Sequence, residues 1–230
     1  MRLAIVIPTL NEEAGIDATL QRLAPLRERG VRVIVADGGS ADTTVQRAWQ
    51  GADAVVIAAR GRGRQMNAGA RHPLAADADA LLFLHADTQL PPDADRLILR
   101  ALSNSLRVWG RFDVHIAGGL RGLRMVATLM NLRSRLTGIA TGDQALFIRR
   151  GAFVALEGFA PIPLMEDIDF CRRARMLSAP LALREKVMTS GRRWERHGLW
   201  RTIVHMWRLR LAFYFGADPA MLARRYDNTR

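Results

Sequence analysis

The sequence predicts an α/β domain with a mostly parallel central sheet flanked by helices. Three observations carry this. Short apolar runs recur at Leu3–Ile7, Val31–Ala36, Ala54–Ala58 and Ala80–Leu84, too short for helices and closed by polar, glycine or proline residues. Helical spacing fills the intervals between them. Continuous rather than alternating apolar runs suit strands buried on both faces, and strand–helix alternation favours parallel pairing.

The elements follow in order. Leu3–Ile7 is the first strand, ended by Pro8 and Thr9. Asn11 is placed to cap a helix, with Glu12 and Glu13 in its first turn and Ile16, Leu20 and Leu23 on one face. The second strand ends at Asp37-Gly38-Gly39-Ser40, and a helix should begin near Ala41–Thr43. After Ala54–Ala58 comes GRGRQMNAGARH, whose helical part is expected from near Gly63 towards Ala70. The fourth strand runs into His85, Ala86, Asp87 and Thr88, and a helix follows from Pro92. On an extended backbone His85 and Asp87 share a face, where they would hold a divalent cation with phosphate oxygens. The plainer reading is a turn cap beside a half-buried strand end.

Beyond residue 108 the pattern changes. Val108–Ile116 reads as a mixed strand, Leu120–Leu136 as an arginine-bearing amphipathic helix, Ala145–Ile148 as a strand behind Gly142-Asp143-Gln144, and Leu181–Met188 as the last strand. A proline-rich loop leads into a helix from Glu166, whose acids either favour the helix dipole or supply a general base. Residues 198–216 form an amphipathic helical segment with a narrow polar stripe, Arg201, His205 and Arg208. Its Trp and Arg content suits a membrane interface, and its apolar breadth also suits a core or oligomer contact such as a homodimer.

In the α/β sheet ligands gather at the carboxyl ends of the strands. Thr9, Asp37, Arg60 or Arg64, and Asp87 all lie just past such ends, so they are expected on one edge. Asp37 offers a carboxylate to a base or ribose, or simply folds an Asx-turn. The 61–70 loop lacks the Walker A ending and does not follow strand one, yet its arginines and glycines fit a diphosphate. Arg192-Arg193-Trp194 pairs guanidiniums with an indole, for a leaving diphosphate and a stacked ring, or as a surface cation–π pair.

Composition bounds the rest. The 230 residues are 49% hydrophobic and carry a net charge of +12, from 34 basic against 22 acidic residues. That supports one domain with a real core and a surface attractive to phosphates or anionic lipid. Lys186 is the lone lysine, so the charge is arginine, which binds phosphate bidentately. Cys171 is the lone cysteine, which excludes an intrachain disulfide and a cysteine zinc site and fits a cytoplasmic setting. Neither a signal peptide nor a membrane-spanning helix is expected.

The motifs together resemble the inverting glycosyltransferases of family 2, with a GT-A fold, over nearly the whole chain. IPTLNEE (7–13) looks like that family's opening strand and turn. VADGGSADTT (35–44) is similar to its base-binding second strand, and GRGRQMNAG (61–69) to its arginine/asparagine/glycine segment. FLHADT (83–88) sits where the family has its DxD metal motif, with His85 replacing the first acid. GFAPIPLMEDIDFCRRAR matches its Gly-Phe…Glu-Asp…Arg pattern, and TSGRRW its Arg-Trp motif. The combination most resembles the small bacterial subgroup found beside radical-SAM/selenodomain proteins.

The resemblance implies a single Rossmann-like GT-A domain over 1–195, nucleotide-binding in 1–105 and acceptor-binding in 106–195, with a helical appendage at 196–230. It implies a nucleotide site of Pro8, Thr9, Leu10, Glu12, Asp37, Gly38, Arg64, Asn67 and Ala86. It makes Asp167 the base beside Glu166 and Asp143, and gives Gln144, Arg192, Arg193 and Trp194 to the diphosphate or acceptor. Mn²⁺ or Mg²⁺ would sit on Asp87 and His85, with His197 as a later ligand. The expected reaction is inverting, non-processive transfer from a UDP- or GDP-type sugar to an acceptor hydroxyl, in the cytoplasm or at the inner membrane face, with no specific nucleic acid partner. The rival readings are a non-enzymatic arginine-rich module binding nucleic acid or membrane through charge, and a nucleotidyltransferase on a related sheet.

Overall fold

The computed structural model describes residues 1–227. In chain order the elements are β1 (Leu3–Thr9), α1 (Ile16–Glu28), β2 (Arg32–Asp37), α2 (Thr44–Gly51), β3 (Ala54–Ile57), α3 (Arg62–Arg71) and α4 (Pro73–Ala76). Next come β4 (Ala80–Phe83), β5 (Thr88–Gln89), α5 (Ala94–Ser103), β6 (Trp109–Ala117), α6 (Leu123–Thr137), a 3₁₀ turn at Gly142–Gln144 and β7 (Leu146–Arg149). Then follow α7 (Arg150–Ala155), α8 (Glu166–Leu177), β8 (Leu181–Ser190), α9 (Arg192–His197), α10 (Leu199–Tyr214) and α11 (Pro219–Asp227).

One eight-stranded sheet has the order β3-β2-β1-β4-β7-β6-β8-β5. The pairs β1–β2, β1–β4, β2–β3 and β6–β8 are parallel, so only β7 and β5 run against the rest. The mostly parallel sheet expected from the sequence is therefore present. Strand alternation sends side chains to two separate cores. Leu3, Ile5 and Ile7 pack on one side with α1 and α5, whereas Ala4 and Val6 pack on the other with Met66, Phe83, Phe153, Phe159 and Phe170. Gly69 lets α3 press against Val6, where a Cβ would collide with the valine side chain.

Several boundaries differ from the expected ones. Asn11 does not cap α1: it has φ +54° and ties two strand-end loops, donating from its N–H to Ser40 Oγ and accepting from the Ala41 N–H. Glu13 likewise accepts from the backbone and hydroxyl of Thr43, at the start of α2. Short polar side chains bonded to a neighbouring loop here outcompete the local cap. The fourth strand stops at Phe83, and His85 and Asp87 lie in a turn closed by the Thr88 N–H on the His85 carbonyl. The extended geometry assumed for that pair is thus not the one adopted.

Residues 191–227 fold back onto the body. Trp194, Leu199 and Ile203 pack on the main core, while Leu209, Leu222 and Tyr226 form a small core with Leu164 and Met165, just before α8. A boundary at 195/196 would cut through α9. Among the described residues no helix is long and apolar enough to cross a membrane.

Candidate active site

The carboxyl edge of the sheet collects the loops after β1, β2, β3, β4 and β8. Because β7 runs backwards, its entry, Gly142–Gln144, lies on that edge too. The charges there feel one another. Burial raises the Glu12 pKa first, and Asp87 raises it further against the pull of Arg192, Arg62 and His85. Those five side chains come from the ends of four strands.

Arg62 links this group to a second set of acids. Burial opposes its charge, but Glu166, Tyr226, Asp143 and Asp167 outweigh burial and hold it firmly protonated. The sequence pointed to Arg60 or Arg64. Arg64 is exposed, and the residue between them faces the acids. An α3 start at Arg62, one residue before the expected one, marks the guanidinium that opens the helix.

The second set stands where α8 begins. Asp167 accepts from the Gly142 N–H at 3.0 Å and from the Ile168 N–H at 2.8 Å. Its pKa is raised, by burial first and by Asp143, against those two hydrogen bonds. Glu166 is 5% exposed, and burial, then Asp167, pushes it up to about 7. Met165, in the left-handed region at φ +69°, turns the chain into this helix, and its side chain is anchored in the small C-terminal core. Such a non-glycine conformation costs about 1–3 kcal/mol and collects at functional sites. Asp143 behaves oppositely: although burial works against its charge, the hydrogen bond from His85 and the charges of His85, Arg62 and Arg193 hold it down to about 2.

His85 is spent on this contact. Its Nδ1 lies 3.2 Å from Asp143 Oδ1, and its Nε2 presses against the Cα of Gly142, where any Cβ would clash. At the edge this ring is the hydrogen-bond partner of Asp143. His197 lies on the wall of a cavity between α9, α10 and α11. Among the described residues no three His, Cys, Asp or Glu side chains gather to hold an ion. What the edge offers a metal is Asp87, exposed, with Glu12 close enough to be repelled by it. One or two carboxylates with substrate phosphates completing the shell is a normal donor set for Mg²⁺ or Mn²⁺, so the residues fit an ion brought with a diphosphate.

The other expected residues divide between the edge and the scaffold. Asp37 is fully buried and accepts from Thr9 Oγ1, the Gly39 and Ser40 N–H groups and Ser40 Oγ, which is the Asx-type turn of the plainer reading. Pro8 pairs with Ala36 within the sheet, Leu10 is half-buried just beyond, and Ala86 is buried with its carbonyl on Thr19. Gln65 was not singled out from the sequence. Its amide donates to the Thr9 and Ala36 carbonyls and packs on Gly38, joining the ends of β1 and β2. Asn67 clamps the backbone of Phe159 through both N–H and carbonyl and so fixes the loop before α8. Gln144 is fully buried, its amide directed to Ser134, Asn131 and the Phe112 carbonyl. Arg192 is exposed at the edge, Arg193 stacks 4.7 Å over the Tyr226 ring, and Trp194 packs on the core.

Residues 4–155 match the model of glycosyl transferase family 2. The chain belongs to this family. The match runs from β1 through α7 and thus covers the edge loops up to the one before α8. No curated protein matches the sequence. Among solved structures, S. aureus TarS 1-349 superposes with a TM-score of 0.65 at 17% identity, over 84% of this chain and 61% of that one. The mannosyltransferase PcManGT from Pyrobaculum calidifontis, solved with GDP-Man and Mn²⁺, gives 0.62 at 20% identity over 92% and 61%. Glucosyl-3-phosphoglycerate synthase from Mycobacterium tuberculosis, solved with Mn²⁺ and UDP, gives 0.59 at 24% over 80% and 70%. This chain therefore spans about three fifths of the length of the first two. The fold is the GT-A fold, as the motifs implied, and the glycosyltransferase domain sets aside the reading as a non-enzymatic charge module.

Proposed function

We propose that this protein is an inverting, non-processive glycosyltransferase, moving one sugar from a UDP- or GDP-type donor to an acceptor hydroxyl. The observation that carries the reading is the meeting of Glu12, Arg62, Asp87 and Arg192 with Asp143, Glu166 and Asp167 on one sheet edge. Family membership supports it, as do neighbours solved with UDP-GlcNAc and with GDP-Man. The motif combination further supports a place in the radical-SAM/selenodomain-associated subgroup.

In this mechanism the acceptor O–H gives its proton to the Asp167 carboxylate as its oxygen attacks the anomeric carbon. The bond from that carbon to the β-phosphate oxygen breaks on the opposite face, and the diphosphate leaves with the electron pair. Arg62 and Arg192 offset the developing charge. Asp87 would hold Mn²⁺ or Mg²⁺, which supplies further neutralisation of the leaving group. Asp143, kept ionised, and His85 hold the Gly142 turn against Asp167. A thermal-shift screen of UDP- and GDP-sugars, with and without Mn²⁺, tests the donor. One nucleotide class should raise the midpoint, by the equivalent of about 2.7 kcal/mol at a hundredfold excess over Kd, and more with Mn²⁺ than without. No shift with any nucleotide sugar would refute the reading.

We also propose peripheral contact with an anionic membrane, at the cytoplasmic face. The exposed residues Trp200, Val204, Trp207 and Leu211 on α10 repeat the spacing of exposed Met125, Leu129, Leu132 and Leu136 on α6. Leu199 meets Gly122, so the two helices begin side by side. Neither helix contains an acid, and Arg124, Arg135, Arg201 and Arg208 are exposed on them. A basic face of this kind repels a second copy and attracts acidic lipid. Trp200→Ser with Trp207→Ser should weaken binding to phosphatidylglycerol-containing vesicles about tenfold or more in flotation. Equal flotation with pure phosphatidylcholine, or none at all, contradicts the proposal.

A further inference from the structure

A cavity lies beside the sheet edge, lined by residues of the C-terminal helices. It measures about 270 Å³ and lies between α9, α10 and α11. Arg193, Arg201, Arg208, His197 and His205 line it together with the apolar Val204, Met206 and Tyr226. No carboxylate is among these lining residues. Nor does any of the three arginines make an ion pair among the described residues. Three guanidiniums around one hollow with no carboxylate in its lining repel one another, and an anion seated there relieves the arrangement. The cost is visible on His205, whose pKa is lowered by burial first and then by Arg193, Arg201 and Arg208.

The cavity is tied to the candidate active site through two of its walls. Arg193 lies close enough to Asp143 to hold its pKa down, and Tyr226 close enough to Arg62 to raise that of the guanidinium. Tyr226 also packs with Leu164 and Met165, the residues that lead into Glu166 and Asp167. A molecule seated in the cavity would thus have its charged end among arginines and another part beside the carboxylate assigned as base.

From this we infer that the acceptor is a phosphate monoester, its phosphate held by Arg193, Arg201 and Arg208 while its hydroxyl reaches Asp167. The inference rests on the glycosyl-transfer reading and adds to it the chemical class of the second substrate. Two sources share the chemistry, a soluble phosphorylated metabolite and a phosphate-headed lipid that keeps a free hydroxyl, such as a lysophosphatidate; a long-chain phosphate probes the headgroup and apolar contacts of the second. The apolar walls and the exposed Trp200 and Trp207 of α10 suit the second source, and the arginines serve either.

Calorimetric titration tests it, with glycerol 3-phosphate and dodecyl phosphate as probes and uncharged dodecyl maltoside as control. Wild-type protein should bind at least one monoester and not the control. Arg201→Gln and Arg208→Gln, both at exposed positions where the fold tolerates change, should each weaken binding by about tenfold, in line with the loss of one charge-assisted contact. Lysine at either position should recover part of the affinity, and UDP or GDP binding should be unchanged in all variants. Tighter binding of dodecyl phosphate assigns a lipid phosphate, and the reverse order a soluble one; either supports the inference. Failure of the wild type to bind either monoester, or full retention of affinity in both glutamine variants, overturns it. If nucleotide binding persists in that case, the transfer reading survives. If monoesters bind and no nucleotide does, the transfer reading fails and the cavity stands alone.

Discussion

Asp167→Asn is expected to lower the turnover of sugar transfer by about 10²–10⁴-fold, the usual worth of a positioned base. The carboxylate is held by the Gly142 and Ile168 N–H groups, which fixes its orientation but also complicates the experiment. In the asparagine variant one amide NH₂ faces an N–H donor, so about 1–3 kcal/mol of local stability goes with the charge. A melting curve and UDP or GDP titration on the same preparation separate the two effects. A variant that melts somewhat lower, binds nucleotide normally and transfers slowly has lost the base. One that keeps full turnover shows that proton removal lies elsewhere, with Glu166 the nearest alternative.

The pH dependence supplies a readout that a structural role would not move. Asp167 and Glu166 are both raised, in each case by burial before any charge effect. Raised carboxyls hold their protons to higher pH, so the base is lost on the acid side of its shifted pKa. The acid limb of kcat should therefore lie above the ordinary carboxylate range, and the two groups should titrate as one coupled pair. A limb near pH 4 would say that the reacting carboxylate sits in water, contrary to the packing around α8.

Much of this was readable in the residues, and the physical reason is that a parallel sheet advertises itself. Leu3–Ile7, Val31–Ala36 and Ala80–Leu84 are apolar on both faces because two cores claim alternate side chains. The loops at their ends then share an edge by topology alone, which is how Thr9 and Asp87 come to be expected there, whereas Glu12 enters only through the family resemblance. What stayed hidden depends on side-chain partners brought from elsewhere in the chain. Asn67 and Gln144 look like ligand-binding amides until Phe159 and Ser134 arrive to occupy them. His85 reads from the sequence as a strand-end residue, and only the fold shows its Nδ1 meeting Asp143 and its ring packed beside Gly142. Arg62 was passed over because its neighbours two residues either way carry the same charge, and only the helix start chooses between them. The cavity under α10 needed α11, which the sequence reading held only within an undivided helical appendage.

The largest expected loss of stability comes from Asp113→Ala. Asp113 is 8% exposed on β6 and pairs with Arg111, which is fully buried, and with Arg135 at 2.7 Å. Two residues apart on a strand, Arg111 and Asp113 face the same side, towards α6, where the Asn131 carbonyl takes one more guanidinium N–H. Burial already lowers the Arg111 pKa with its partner in place. Without that partner a charge sits in the core with little to answer it, and such a deletion costs about 3–5 kcal/mol. That is a large share of the roughly 5–15 kcal/mol that holds a domain together. Arg135→Gln, which removes a one-third exposed partner, should cost only about 0–1 kcal/mol. Replacing both charges, Arg111→Met with Asp113→Leu, should recover most of the loss, because an apolar pair of similar volume needs no compensation. Urea denaturation of the three variants measures the series, and a midpoint for Asp113→Ala close to that of the wild type would mean that Arg111 finds water or another acceptor. The consequence reaches the site, because the same face of α6 carries Asn131 and Ser134, which hold Gln144 at the entry of β7. Loosening that polar cluster should free the Gly142 turn and, with it, the two-point grip on Asp167.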